Sequence, residues 1–296
     1  MHKLLKLTLA FAALVAGALW IFSAPATLPD NAVFTQTGDV QKGRDVFYAG
    51  GCASCHAAPK AQGTDKLVLT GGRKFPSGFG TFYAPNISSD VDFGIGDWSA
   101  RDLANAMLNG VSPDGQHYYP AFPYTSYSRV KLEDIVDLRA FLATLPASSQ
   151  ANQAHDLPLP FRFRRALGLW KLLYLNDDPI SGEPSRGQYL VEGLAHCAQC
   201  HTSRTVLGGL KPTQWMSGAP LPEGKGRVPN ITPHADGLAQ WSIGDITEYL
   251  ESGFTPDYDS ASGVMVDVVE STAQLSDEDR IAIATYLKSL APLPKP

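Results

Sequence analysis

Cys52-Ala-Ser-Cys55-His56 and Cys197-Ala-Gln-Cys200-His201 decide how this chain is read. C-x-x-C-H is the attachment signature of c-type haem. Each thiol adds to a vinyl group of the porphyrin, and the adjoining histidine supplies the proximal iron ligand. The chain has 4 cysteines, and the two motifs use all of them. A structural zinc site needs four converging ligands, whereas these Cys pairs stand in opposite halves of the sequence. A thioredoxin-type C-x-x-C needs a βαβ context, and neither flank reads that way. We therefore expect two covalently bound haem c groups, held by Cys52, Cys55, His56, Cys197, Cys200 and His201.

Working outward from the motifs, the two halves repeat one another. Arg44–Cys52 matches Gly187–Cys197 in outline. Pro85-Asn86-Ile87 matches Pro229-Asn230-Ile231, Trp98-Ser99 matches Trp241-Ser242, and Gly110 matches Gly253. Leu132–Leu138 and Leu275–Ile281 keep the same register. Residues 37–146 and 183–293 are thus expected to be two copies of one haem domain. Each copy reads as mostly helical, with Val40–Ala49 and Ser185–Gly193 leading into the motifs. Ser99 and Ser242 stand where helices need an N-cap, and Gly110 and Gly253 where they end. Ser276 followed by Asp279 resembles a capping box for the last helix. Thr70–Pro85 and Lys211–Pro229 are rich in Gly and Pro and read as irregular loops around a haem.

The first residues, Met1-His-Lys-Leu-Leu-Lys6, are basic, and Leu7 to Pro25 carries no charge. That run reaches the length needed to span a bilayer. Residues 1–26 read as an uncleaved anchor, with a signal peptide cut near Ala24-Pro25-Ala26 as the alternative. Lys3 and Lys6 would stay cytoplasmic, so the remainder is exported. At 296 residues and a net charge of −5, nothing suggests nucleic-acid binding. An acidic electron carrier that docks through complementary charge is the simpler reading.

The copies differ at the sixth iron ligand. A methionine sulfur commonly takes that position, and Met265 in Gly263-Val-Met-Val is the candidate in the second copy. Met216 competes but has no evident counterpart in the repeat. In the first copy the register of Met265 falls on Phe122, which cannot ligate iron. His117 on the same loop, Met107, or an open or water-bound site are the alternatives. His155, His196 and His234 read as structural or incidental. Trp98 and Trp241 either brace a propionate or pack at helix starts, and the repeated Asn86 and Asn230 hint at a role beside the haem. Residues 147–182 form an apolar, basic linker with Arg162, Arg164, Arg165 and Lys171. It reads as a clamp across both domains, or as an interfacial segment on anionic lipid.

Gly51-Cys-Ala-Ser-Cys-His56, Tyr83-Ala-Pro-Asn-Ile87, Gly94–Trp98 and Gly110–Gly115 make up one set of motifs. Tyr119-Pro-Ala-Phe-Pro-Tyr-Thr-Ser-Tyr127 and Arg186–Gly193 make up another. Together they resemble the membrane-anchored cytochrome c subunits of bacterial periplasmic dehydrogenases, of the alcohol, gluconate and molybdenum hydroxylase types. The resemblance implies a mostly α fold of two tandem class I-like cytochrome c domains after a transmembrane anchor. It also implies a relay on the periplasmic face of the cytoplasmic membrane. Electrons would come from a dehydrogenase catalytic subunit and leave to quinone, a small cytochrome or a terminal oxidase. Better-known members carry three haems, and many have Met where this chain has Phe122. The alternative is a di-haem peroxidase-like enzyme with an open site at haem 1.

Overall fold

The computed structural model describes residues 2–29, 32, 34, 36–175, 184–221 and 226–296. Its first element, α1 (His2–Phe22), has a mean hydropathy of 2.1 and no buried residue. It is long and apolar enough to cross a membrane.

In the first repeat, α2 (Val40–Ala49) starts at Asp39, whose carboxylate accepts the Gln41 and Lys42 amides. The motif forms the short α3 (Cys52–His56). After it come a hairpin, β1 (Lys74–Ser77) with β2 (Gly80–Tyr83), then α4 (Ala100–Asn109), α5 (Tyr124–Tyr127) and α6 (Leu132–Leu142). The linker carries α7 (Ala166–Tyr174). The second repeat contains α8 (Arg186–Gln188), a π-helical turn over Tyr189–Leu194, and α9 (Ala198–His201). It continues with β3 (Ala219–Pro220), β4 (Arg227–Val228), α10 (Ile243–Ser252), α11 (Val264–Thr272) and α12 (Asp277–Ser289).

The first and last helices of each repeat cross at a glycine. A Cβ on Gly43 would fall 2.0 Å from the Asp137 carbonyl oxygen of α6, and one on Gly187 2.0 Å from that of Ala282 in α12. Gly187 is therefore the equivalent of Gly43, not of Arg44. One residue more separates Gly187 from Cys197 than Gly43 from Cys52, and the π turn absorbs it. That insertion is why the expected helix Ser185–Gly193 is not a regular α-helix. Around the crossings, Phe47, Leu103, Ile135, Leu138 and Phe141 pack in the first repeat. Leu190, Ile246, Leu250, Ile283 and Leu287 extend the same core into the second.

Ser99 with Asp102 and Ser242 with Asp245 form complete capping boxes. Gly110 and Gly253 end those helices at φ 59° and 79°, a conformation that costs glycine little. Ser276 caps α12, but the Asp279 carboxylate turns instead to a bidentate pair with Arg186, both contacts 2.7 Å. Thr70–Pro85 is less irregular than expected. Thr81 exchanges backbone hydrogen bonds with Asp156 of the linker (2.8 and 2.9 Å), which adds a partner to its hairpin. Within Lys211–Pro229, residues 222–225 lie outside the described part. So do residues 176–183, where the expected boundary between linker and second domain falls.

The linker is a clamp. Tyr119 donates to the Phe161 carbonyl at 2.9 Å, and Arg164 to that of His117 at 3.1 Å. Lys171 donates to the carbonyls of Asn109 and Gly110 at the end of α4. On the other side, Trp170 reaches the Leu207 carbonyl (2.8 Å) and Tyr174 the Thr205 hydroxyl (3.0 Å) of the second repeat.

Candidate haem centres

Each motif histidine is oriented from behind by a proline carbonyl: His56 Nδ1 lies 2.9 Å from the Pro85 oxygen and His201 Nδ1 2.8 Å from that of Pro229. A carbonyl only accepts, so Nδ1 carries the proton and Nε2 presents its lone pair. Burial lowers the pKa of both rings against that hydrogen bond, which favours the neutral imidazole that ligates iron. Asn86 and Asn230, each 2 % exposed, follow these prolines and anchor their loops. Asn86 donates to the carbonyls of Ser148 (2.7 Å) and Gln150 (2.9 Å), and Asn230 to that of Leu293 (2.7 Å). Their repetition thus serves the proline carbonyls, a positioning role that sequence alone did not supply.

Burial pushes the Cys52 and Cys197 thiols up to about 12 and that of Cys55 to about 11. Cys200 is pushed up as well. Cys52, Cys55, His56, Cys197 and His201 are half-buried and keep accessible surface. Among the described residues, no three His, Cys, Asp or Glu side chains cluster as metal ligands, which counts against the zinc reading. The donor set fits haem c at both motifs.

On the opposite side the candidates separate. Met265 stands in the first turn of α11, half-buried against the core. Met216 does have a counterpart, Leu69. Both are fully buried with positive φ (56° and 54°), and their carbonyls accept the amides of Ile231 (2.9 Å) and Ile87 (3.0 Å). A place that leucine fills equally well does not require sulfur. Met107 packs in the core on the buried face of α4.

His117 is corrected as a candidate. Its Nε2 lies 2.9 Å from the carbonyl of Ser23, just past α1. His117 and Tyr119 turn toward Ser23 and the linker, whereas Tyr118 meets the Phe122 ring edge-on at 5.9 Å. Alternation along this extended stretch turns His117 away from Phe122. Tyr127 also lies against Phe122, its ring tilted at 5.6 Å. His155 braces the hairpin, accepting the Tyr83 amide at 3.2 Å, and His234 Nδ1 accepts the Asp236 amide at 3.1 Å.

The two motifs face one another across a seam the sequence did not announce. Ser54 donates to the Asp267 carbonyl of α11 at 3.1 Å. Arg73 donates to the Ser54 carbonyl and to the Asp267 carboxylate (2.7 Å), which Lys66 also holds (2.9 Å). Burial alone would raise the Asp267 pKa, but these two cations outweigh it and hold the carboxyl below its usual range. From the other direction, Gln199 donates to the hydroxyls of Thr125 and Ser126 (3.0 and 2.9 Å). His196, expected to be incidental, packs edge-on against Tyr127 at 5.5 Å, and burial lowers its pKa to about 4.

The cytochrome c family model matches residues 40–146 and again 185–291. "Diheme cytochrome c-type" of Cereibacter sphaeroides is 52% identical over 281 residues, covering 93% of this chain and 94% of that protein. The gluconate 2-dehydrogenase cytochrome c subunit of Pantoea cypripedii is 37% identical over 267 residues, and the fructose dehydrogenase cytochrome subunit of Gluconobacter japonicus 35% over 264. Each alignment covers 85% of this chain but 59% and 52% of those subunits, so the chain spans little more than half their length. With two matched domains, two C-x-x-C-H motifs and two proline-oriented histidines, this chain belongs to the cytochrome c family and carries two covalently bound haem c groups.

Proposed function

We propose that the chain relays electrons from the catalytic subunit of a dehydrogenase, outside the bacterial cytoplasmic membrane, to the respiratory chain. The observation that carries this reading is the facing pair of motifs, which brings two one-electron centres to a single seam. Bound at the motifs, haem c supplies the Fe(III)/Fe(II) couple. The chain's own residues attach it, orient His56 and His201 through Pro85 and Pro229, and set two unequal environments. Met265 is the sixth ligand we assign in the second domain. Phe122, in ring contact with Tyr118 and Tyr127, leaves the first domain without a sulfur at that position. The relatives' names, fructose and gluconate dehydrogenase cytochrome subunits, support a sugar- or sugar-acid-oxidising partner class. Quinone, a small cytochrome or a terminal oxidase would accept the electrons, and α1 would hold the chain in the membrane. None of the three relatives reported above is named as a peroxidase.

The test is to delete the gene and measure oxygen uptake by membranes given sugars, sugar acids or alcohols. Loss of uptake on one substrate, with dye-linked dehydrogenase activity retained, supports the relay. Unchanged uptake on every substrate, together with peroxide turnover by the purified chain, would sink it.

A further inference from the structure

The linker contains a feature that relay between two haems does not use. α7 docks at the point where α1 leaves the folded part of the chain. A Cβ on Gly168 would fall 2.3 Å from the Ser23 carbonyl oxygen, so the backbones are in direct contact there. Arg165 donates to the Ser23 hydroxyl (3.0 Å) and the Trp20 carbonyl (2.7 Å), with its guanidinium 4.3 Å from the centre of the Trp20 ring. These contacts fix the linker relative to the end of α1.

Around that junction, large apolar side chains stay exposed together: Leu159 (80 %), Phe163 (62 %), Leu172 (63 %) and Leu173 (65 %) of the linker, with Val206 (94 %) and Leu207 (53 %) of the second domain. Trp170 ties the two groups by its bond to the Leu207 carbonyl. Phe161 meets Phe79 edge-on at 5.2 Å, and Phe79 lies against Gly208. Arg162 is exposed among them. Scattered apolar residues on a surface need no explanation, but a contiguous patch marks a contact with protein or membrane.

We propose that this patch rests in the interfacial layer of the bilayer that α1 enters, so the chain is held to lipid by a surface as well as by a span. The proposal rests on α1 being a membrane anchor. Lipid is the favoured occupant because the patch is continuous with Trp20 and Phe22, which are exposed at the end of α1. A basic, aromatic and aliphatic surface is what such a layer takes up. The consequence is functional. The 205–208 loop follows closely on His201, and Arg204 ties its own motif to the loop through the Gln199 and Gly208 carbonyls (2.9 and 2.8 Å). The second haem motif is thereby kept at the membrane surface, where a lipid-soluble electron acceptor would be met.

The test uses the full holoprotein in vesicles of phosphatidylcholine with a minority of phosphatidylglycerol. All four native cysteines are in thioether links, so an introduced cysteine is the sole free thiol. Phe163→Cys, Leu172→Cys and Leu207→Cys are compared with Leu14→Cys on α1 and with Tyr258→Cys, an exposed position after α10. The readout is the rate of alkylation by a charged, lipid-insoluble thiol reagent relative to a neutral, lipid-soluble one. We expect that ratio to be about ten-fold or more lower at the three patch positions than at Tyr258→Cys, with Leu14→Cys inert to the charged reagent. If the patch positions react like Tyr258→Cys while Leu14→Cys stays inert, the anchor stands and the lipid-facing patch is refuted. A reactive Leu14→Cys refutes the anchor itself. Protection seen only in native membranes means that a partner protein covers the face, which also overturns the proposal.

Discussion

Replacing Asp267 with Asn tests whether the first domain holds the helix that presents Met265. Asp267 lies two residues beyond Met265 on α11. Its carboxylate receives Lys66 Nζ at 2.9 Å and Arg73 Nη1 at 2.7 Å, and the three side chains are 24 %, 20 % and 28 % exposed. Neither cation is stranded by the substitution, because Arg73 keeps the Ser54 carbonyl and Lys66 keeps Glu270. The loss is thus smaller than the roughly 3–5 kcal/mol of an uncompensated buried charge. It is larger than the roughly 0–1 kcal/mol of an exposed pair. About 1–2 kcal/mol is the expected loss, toward the lower end of the roughly 1.5–3 kcal/mol of hydrogen bonds to charged groups, because the Asn oxygen still accepts. A double-mutant cycle with Arg73→Met isolates the pair, with an expected coupling of about 1 kcal/mol. Guanidinium unfolding of the holoprotein measures it. A second readout separates positioning from stability: with α11 loosened, the folded variant should admit carbon monoxide to the second haem faster than the wild type does. A coupling indistinguishable from zero, or an unchanged carbon monoxide rate in a folded variant, refutes the reasoning.

Carbon monoxide added to the reduced wild type should bind rapidly to about half of the haem, since Phe122 leaves the first haem without a sulfur ligand. Phe122→Met should suppress that binding, and a wild type in which neither haem reacts would overturn the assignment. Gly43→Ala and Gly187→Ala should each cost about 1–3 kcal/mol or more by overpacking, because each Cβ would fall 2.0 Å from a carbonyl oxygen across the helix crossing. Chemical denaturation checks this, and midpoints unchanged from wild type would mean that the crossings are looser than described. Burial brings the Lys171 pKa from 10.5 down to about 7. Between those values the unfolded chain binds the extra proton, so stability rises with pH across that window, and the burial penalty is full below it. Thermal unfolding of Lys171→Met at neutral and alkaline pH should show that rise flattened; an equal rise in both proteins assigns it elsewhere.

What could be read from sequence was whatever is local or repeated. Ser99, Ser242, Gly110 and Gly253 act through their own backbone neighbourhood, so spacing alone locates them. The two motifs carry their chemistry within five residues. The π turn at Tyr189–Leu194 is visible only after Gly187 is paired with Gly43 by its contact with the closing helix, which sequence matching misplaced by one residue. His117 looked available because proximity along the chain says nothing about direction, and alternation sends its ring to Ser23. Seam residues such as Asp267, Arg73 and His196 act between the domains through contacts distant in sequence, so spacing within either copy cannot reveal them.

The seam is nonetheless nearly reciprocal. α11, which bears Met265, packs on the first motif through Ser54 and Ser271, while α5, which follows Phe122, packs on the second through Gln199. The segment meant to present a sixth ligand in each domain is therefore buttressed by the other domain's attachment site. In such an arrangement a ligand change in one domain alters the support of the other's motif, so the two potentials are not set independently. Methionine on one side and phenylalanine on the other make the pair unequal across a near-symmetric contact, and inequality gives electron flow a direction. Phe122→Met would restore the symmetry. It should bring the two potentials together in a redox titration, and a separation unaltered by that change would mean that burial and charge, not the sixth ligand, distinguish the two centres.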